Sequence, residues 1–227
     1  PHLFGRPVDL DALLDLGIPV IEDCAQSIGA TYDGAPTGSF GTAAIFSFYA
    51  TKVMTTGEGG LVATRSRKIA DAVRGLRAYD KQKVYEIRYN CKMTDIQAAV
   101  GAVQLDRLPA LIQRRKRIAA EYFRRFSGLP VKLPAESPGH IYYRYVLDLN
   151  GRDPHAFAAR AKNRGVVCEP PVHLPIHRCL GLGGYPKTEA AWQNWVSIPL
   201  YPALSDDQIR QVVESVQKAL LSDGAPT

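Results

Sequence analysis

Ala43-Ala44-Ile45-Phe46-Ser47-Phe48-Tyr49-Ala50-Thr51-Lys52, with Thr56-Gly57-Glu58-Gly59-Gly60 just beyond it, decides how this chain reads. The run from Ala43 to Tyr49 is apolar and carries phenylalanine and tyrosine, the composition of a strand that packs into a core. Gly57 to Gly60 supply a tight turn, and Leu61 to Thr64 reads as a further strand. Lys52 therefore stands directly after a segment that must be largely buried. A lysine in that setting shifts its pKa or forms a bond, whereas a surface lysine needs no such neighbours. Ser47, five residues earlier, is either an ordinary strand-end serine or a neutral donor to an anion.

Upstream, Val20 to Glu22 is a short buried strand, and Asp23-Cys24-Ala25-Gln26 follows it. Asp23 thus sits where strand meets loop, as a local backbone cap or as a carboxylate facing a ligand. Asp9 to Leu16 looks like a short helix. Arg67 to Leu76 sets Ile69, Val73 and Leu76 at helical spacing. Alternating strand and helix patterns argue for an α/β layer. Thr94 to Phe126 is a long helical stretch, broken or kinked at Pro109, with Gln97 placed for a capping box. Beyond Gly128 the character changes. Ile141 to Leu149 reads as a strand in which Tyr142 and Tyr143 pack. Asp153 caps a helix with Pro154 at its first position, running to Arg164. Val166 to Cys168 reads as a strand, and Ser205 caps a last helix, Asp206 to Leu221. The expected division is a first domain over 1–112, then a bridging helix and a small α+β domain over 113–227.

A carboxylate at a strand end, a hydroxyl and a lysine among small residues suit pyridoxal phosphate, which needs an amine, an anion for its ring nitrogen and donors for its phosphate. The chain also resembles the DegT/DnrJ/EryC1/StrS family of sugar aminotransferases. Members carry D-x-A-[QH], then S-F-x-x-x-K, then G-[DE]-G-G. Here Asp23 precedes Ser47 by twenty-four residues and Ser47 precedes Lys52 by five. His2-Leu3-Phe4-Gly5, Gly38-Ser39-Phe40-Gly41, Tyr89-Asn90 leading into Met93 to Ala99, and Ser197-Ile198-Pro199-Leu200-Tyr201-Pro202 match in the same order.

The resemblance implies an α/β fold: the C-terminal part of an aspartate aminotransferase-like large domain, with a mixed, mostly parallel sheet, plus a smaller α+β domain. It implies pyridoxal 5'-phosphate held by Lys52 as a Schiff base, Asp23 at the ring nitrogen, Gln26 at the phenolic oxygen and Ser47 at the phosphate. Asn90 would reach the phosphate of a neighbouring subunit in a homodimer. The implied reaction moves an amino group from a donor, usually glutamate, to a nucleotide-linked keto-sugar, in aminosugar, cell-surface polysaccharide or antibiotic biosynthesis. An inactive or regulatory remnant is one alternative. A sugar dehydratase of the same fold is another, and Lys52 argues against it because that branch has histidine there. Family members carry a substantial segment before their H-L-x-G motif. The resemblance therefore implies an N-terminally truncated chain, lacking a ring-stacking residue and a phosphate-binding helix N-terminus. His177, in Pro175-Ile176-His177, matches a family P-L-H position and has no assigned role.

Composition narrows the classes. The 227 residues are 46% hydrophobic, enough for a sizeable core, and carry a formal charge of +6. Much of that charge lies in Arg114-Arg115-Lys116-Arg117 and Arg124-Arg125, the pattern of a solvated helix face or of a field that attracts anionic substrates. No nucleic-acid motif accompanies it. No apolar run approaches the roughly 20 residues that span a bilayer, and the first residues do not form a signal segment. Cys24, Cys91, Cys168 and Cys179 are scattered, which predicts free thiols in a cytoplasmic protein and no metal site.

Overall fold

In the computed structural model, which describes residues 1–80 and 84–221, the chain divides into two units. Pro1–Gln113 and Ser137–Tyr143 make the first; Arg114–Glu136 and the chain from Arg144 onward make the second.

The first unit opens on a 3-10 turn, Leu3–Gly5, and a short helix α1 (Asp11–Leu14). Then come β1 (Ile21–Asp23), a small hairpin of β2 (Thr31–Tyr32) and β3 (Ala35–Pro36), β4 (Ala43–Ser47), β5 (Gly60–Ala63) and α2 (Arg67–Leu76). The main sheet has the order β1-β4-β5. β1 and β4 are parallel, with Asp23 opposite Ile45; β4 and β5 are antiparallel, with Ser47 opposite Gly60. The sheet is therefore mixed, in an α/β unit. Side chains alternate across a strand, so this register places Ile21, Asp23, Ile45, Ser47 and Val62 on one face. Glu22, Ala44, Phe46 and Leu61 lie on the other.

The strand predicted to reach Tyr49 ends at Ser47. There the Tyr49 N–H bonds to Ser47 Oγ (3.4 Å) and the chain turns, closed by Lys52 N–H to Tyr49 O (2.9 Å). Val53 and Met54 then enter a core with Ala30, Leu108, Ile141 and Tyr143. Fully burying such a side chain stabilises by about 1.5–3 kcal/mol, so these two residues fasten the loop that carries Lys52.

α3 (Asp95–Phe126) passes from the first unit into the second. The expected capping box opens it: Thr94 N–H donates to Gln97 Oε1 (3.0 Å), and Gln97 N–H to Thr94 Oγ1 (3.3 Å). The helix is not broken at Pro109.

The second unit holds β6 (Tyr145–Asp148), α4 (Pro154–Lys162), α5 (Ile176–Cys179), α6 (Pro186–Asn194), β7 (Trp195–Ile198) and α7 (Asp206–Leu221). β6 and β7 pair antiparallel. Tyr122 and Phe126 of α3 stack on one another and meet Tyr145 edge-on. α7 buries Ile209, Val212, Val213, Val216 and Leu220, a helical stripe that faces the core. Asp153 and Ser205 cap α4 and α7 as expected.

Two expected strands differ. The one expected from Ile141 begins only at Tyr145, because Tyr142 has a positive φ of 51° that no strand accepts. Val166 to Cys168 forms no ladder, and pairing there is a single bridge, Glu169 to Ser197. α4 stops two residues short of Arg164. Among the described residues no helix is long and apolar enough to cross a membrane.

Candidate active site

Two parallel strands end side by side in the first unit, and the crevice beyond such carboxyl ends is where α/β sheets hold ligands. Asp23 is the last residue of β1 and Ser47 the last of β4. They share a sheet face, with Ile45 between them in register. The ladder continues one step past Asp23 through Cys24 N–H to Ile45 O (2.8 Å), which fixes the strand end. Asp23 Oδ1 accepts from Ala25 N–H (3.0 Å). Gln26 Oε1 accepts from the Phe4 N–H (2.8 Å), so the amide's Nε2 is the end left to donate. Ser47 Oγ accepts from Tyr49 and keeps its own O–H to give.

Lys52 is partly buried. Among the described residues its Nζ has no hydrogen bond and no carboxylate partner; it lies 5.4 Å from the centroid of the Tyr143 ring. The loop beyond it closes on itself. Thr56 N–H and the Thr55 hydroxyl both donate to Phe48 O (3.0 Å each), and Phe48 N–H donates to Gly59 O (2.9 Å). Gly59 has φ +154°, and a Cβ there would come within 2.6 Å of Met93 Cε and Thr56 Oγ1. A side chain would force this turn open.

Beneath Asp23 lies a buried network. Glu22 is only 3% exposed, yet both its oxygens are saturated. Oε1 accepts from the N–H groups of Phe40 (2.8 Å) and Gly41 (2.7 Å); Oε2 accepts from Gly38 N–H (2.7 Å) and lies 3.2 Å from His2 Nε2. His2 Nδ1 accepts from Val8 N–H (3.1 Å), which places the ring proton on Nε2, facing Glu22. Burial raises the Glu22 pKa, but the N–H groups of Gly41, Gly38 and Phe40 and the His2 ring outweigh it, and the carboxyl sits below its ordinary value. Burial lowers the His2 pKa, against the pull of Glu22. With Cys24, these groups bring ligand-type atoms within 4.8 Å of one another. The glutamate's lone pairs and both histidine nitrogens are already committed to hydrogen bonds, so the cluster reads as a structural clasp. His2, Gly38, Phe40 and Gly41 all lie in segments that carried the family resemblance, and Glu22 is what they converge on.

Asn90 lies apart in an exposed, irregular segment. Among the described residues no hydrogen bond joins it to Asp23, Gln26, Ser47 or Lys52. His177 belongs to the second unit. Its Nε2 lies 2.5 Å from Glu189 Oε1, and Arg178 grips the same carboxylate twice (2.8 and 2.6 Å). Arg178 and then His177 hold the Glu189 carboxyl down at about 2. This geometry assigns His177 to a local ion cluster. Tyr143, read from sequence as strand packing, instead lies against Lys52. No local pattern announces it, because the two residues are far apart along the chain.

Residues 1–217 match the DegT/DnrJ/EryC1/StrS aminotransferase family. The chain belongs to this family. Among curated relatives, it is 32% identical to dTDP-3-amino-3,4,6-trideoxy-alpha-D-glucose transaminase of Micromonospora megalomicea subsp. nigra, over 96% of this chain and 64% of that protein. It is 30% identical to GDP-perosamine synthase of Vibrio cholerae, over 95% of this chain and 64% of the relative. Among solved structures, the pyridoxal phosphate form of the sugar aminotransferase Spr1654 from Streptococcus pneumoniae superposes with a TM-score of 0.88, at 26% identity over 97% of this chain and 67% of the other. The chain thus spans 64% of the length of these two curated relatives. The family's aminotransferases depend on pyridoxal phosphate.

The residues present fit that cofactor in kind. Among the described residues, the strand ends and the loop after them offer an amine without a carboxylate partner, a carboxylate at a strand end, an uncommitted amide N–H₂ and a hydroxyl that can donate.

Proposed function

We propose that the protein transfers an amino group, with glutamate as donor, to a nucleotide-linked keto-sugar. The observation that carries this reading is the Lys52 amine, partly buried on the loop five residues past the carboxyl end of β4 and free of any counter-ion among the described residues. Bound through Lys52, pyridoxal phosphate supplies an electron sink for negative charge at the donor's Cα. Asp23 is assigned to pair with the protonated ring nitrogen, which needs a carboxylate that stays ionised. Gln26 Nε2 donates to the phenolic oxygen, and its orientation follows from the Phe4 bond to Oε1. Ser47 donates to the phosphate. Lys52 Nζ, set free once the donor's amine takes its place on the cofactor, would take the proton from Cα and return it two atoms along, acting as base and then acid. The anchors at Val53 and Met54 hold the loop through these changes.

Relatives named as a GDP-perosamine synthase and a dTDP-amino-sugar transaminase support the proposed substrate class. The proposed assembly is a homodimer in which Asn90 reaches the partner's phosphate. The exposed, irregular segment around Asn90 and the exposed apolar Ile21, Ile45 and Val62 on the sheet support it. The domain division at 112/113 is retained as part of the proposal. Incubating the complete protein with L-glutamate and GDP- or dTDP-linked keto-sugars tests the reading. Mass spectrometry should show the keto-sugar oxygen replaced by an amino group. Turnover of amino acids with no sugar nucleotide consumed would contradict it.

A further inference from the structure

We propose that Tyr143 is a positioning residue for Lys52, its ring forming the platform on which the ε-amine rests. The proposal rests on the functional reading above and adds a residue to it.

Three observations converge on this ring. First, the amine lies 5.4 Å from the Tyr143 centroid, inside the roughly 6 Å at which an aromatic face holds a cationic nitrogen, a charge that the Lys52 nitrogen would carry once joined to the cofactor. Second, the phenol is pinned at its tip. Its hydroxyl lies 3.3 Å from Thr51 Oγ1, on the residue just before Lys52. The tyrosine therefore contacts the lysine's own loop twice, once through the ring and once through the hydroxyl.

Third, the backbone that delivers Tyr143 is a strained and over-determined corner. Tyr142 has φ +51°, a conformation that large L-residues rarely adopt and that persists only where its surroundings enforce it. Here the surroundings do so. Tyr142 N–H donates to His140 Nδ1 (2.9 Å), and the two rings stack at 4.0 Å with 14° between their planes. Ile141 N–H donates to Gly5 O (3.0 Å). Gly5 itself has φ +88°, and a Cβ on it would stand 2.7 Å from Ile141 Cγ1 and 2.8 Å from Tyr143 N. His140, Ile141, Tyr142 and Tyr143 are all buried. A strand at this point would have continued into β6. The corner instead puts Tyr143 against Lys52. Filling the core alone would not require the hydroxyl or this turn.

The test is borohydride trapping of the chain over a series of pyridoxal phosphate concentrations, with peptide mapping of every lysine. It compares the native chain with Tyr143→Phe and Tyr143→Leu. The phenylalanine keeps the ring and loses the hydroxyl with its Thr51 contact, so Lys52 labelling should stay near native. The leucine removes the ring, and labelling at Lys52 should fall by about two- to fivefold while other lysines label as before. Fluorinated phenylalanines at 143 keep the volume and fold while weakening the ring face, and labelling at Lys52 should fall with each fluorine. Equal labelling of native, leucine and fluorinated chains overturns the proposal, as does a loss in Tyr143→Phe as large as in Tyr143→Leu. A native chain that shows no preference for Lys52 overturns the functional reading first, and this proposal with it.

Discussion

Replacing Glu22 with glutamine should destabilise the first unit severely, although the change is nearly isosteric. The carboxylate accepts four hydrogen bonds, two at each oxygen, and is 3% exposed. Glutamine has one acceptor end. Whichever way the amide turns, two N–H groups meet another donor: Phe40 and Gly41 on one side, or Gly38 and the His2 ring on the other. Hydrogen bonds to a charged group are worth roughly 1.5–3 kcal/mol each, so losing two costs at least about 3 kcal/mol. In a chain of this size that corresponds to a fall in Tm of roughly 6–12 °C. Urea and thermal unfolding followed by circular dichroism would measure it. Ser39→Ala, in the same loop, is the control: among the described residues the Ser39 hydroxyl bonds to Pro36 O alone, and its loss should stay within about 0.5–1 kcal/mol. A Glu22→Gln penalty below about 1 kcal/mol would refute the clasp, because no rearranged amide can satisfy all four donors.

The same network predicts acid sensitivity. The folded pKa of His2 lies below 6.5 and that of Glu22 below 4.5, so in both cases the unfolded chain binds the proton first. Stability should be level above neutrality, decline as pH falls through 6.5 and fall faster below 4.5; urea midpoints that rise from pH 7 to pH 5 would contradict this. Gly5→Ala should cost about 2 kcal/mol or more, since its Cβ meets Ile141 and Tyr143 at a positive φ, and a thermal melt unchanged from native would count against that corner. In the complete protein, Asp23→Asn should lower the rate of amino transfer by orders of magnitude while cofactor affinity falls less. An unchanged rate would make Asp23 a loop residue.

What the sequence disclosed was local. The helix of Arg67–Leu76, the Thr94–Gln97 box and the caps at Asp153 and Ser205 are written in residues two to four apart, and each formed as read. The order of Asp23, Gln26, Ser47 and Lys52 was legible through the family motifs. That Asp23 and Ser47 close two neighbouring strands was not, because it depends on β1 pairing parallel with β4 across the hairpin between them. Tyr142 and Tyr143 look like strand residues, and only the stack on His140 and the approach of Gly5 turn them into a corner. Glu22 carries no motif of its own and takes its meaning from two separate segments, around His2 and from Gly38 to Gly41, that fold onto it. α5 escaped because four residues are too few for periodicity, and α6, as long as α4, because it opens without a capping side chain.

Reaction of the chain with pyridoxal phosphate, borohydride reduction and mass mapping of the labelled peptides tests the central claim most directly. The account predicts that the label concentrates on the peptide carrying Lys52, and that Lys52→Ala removes that label while the far-ultraviolet circular dichroism is unchanged. Labelling spread over the lysines according to their exposure, with Lys52 no higher than the rest, would contradict it.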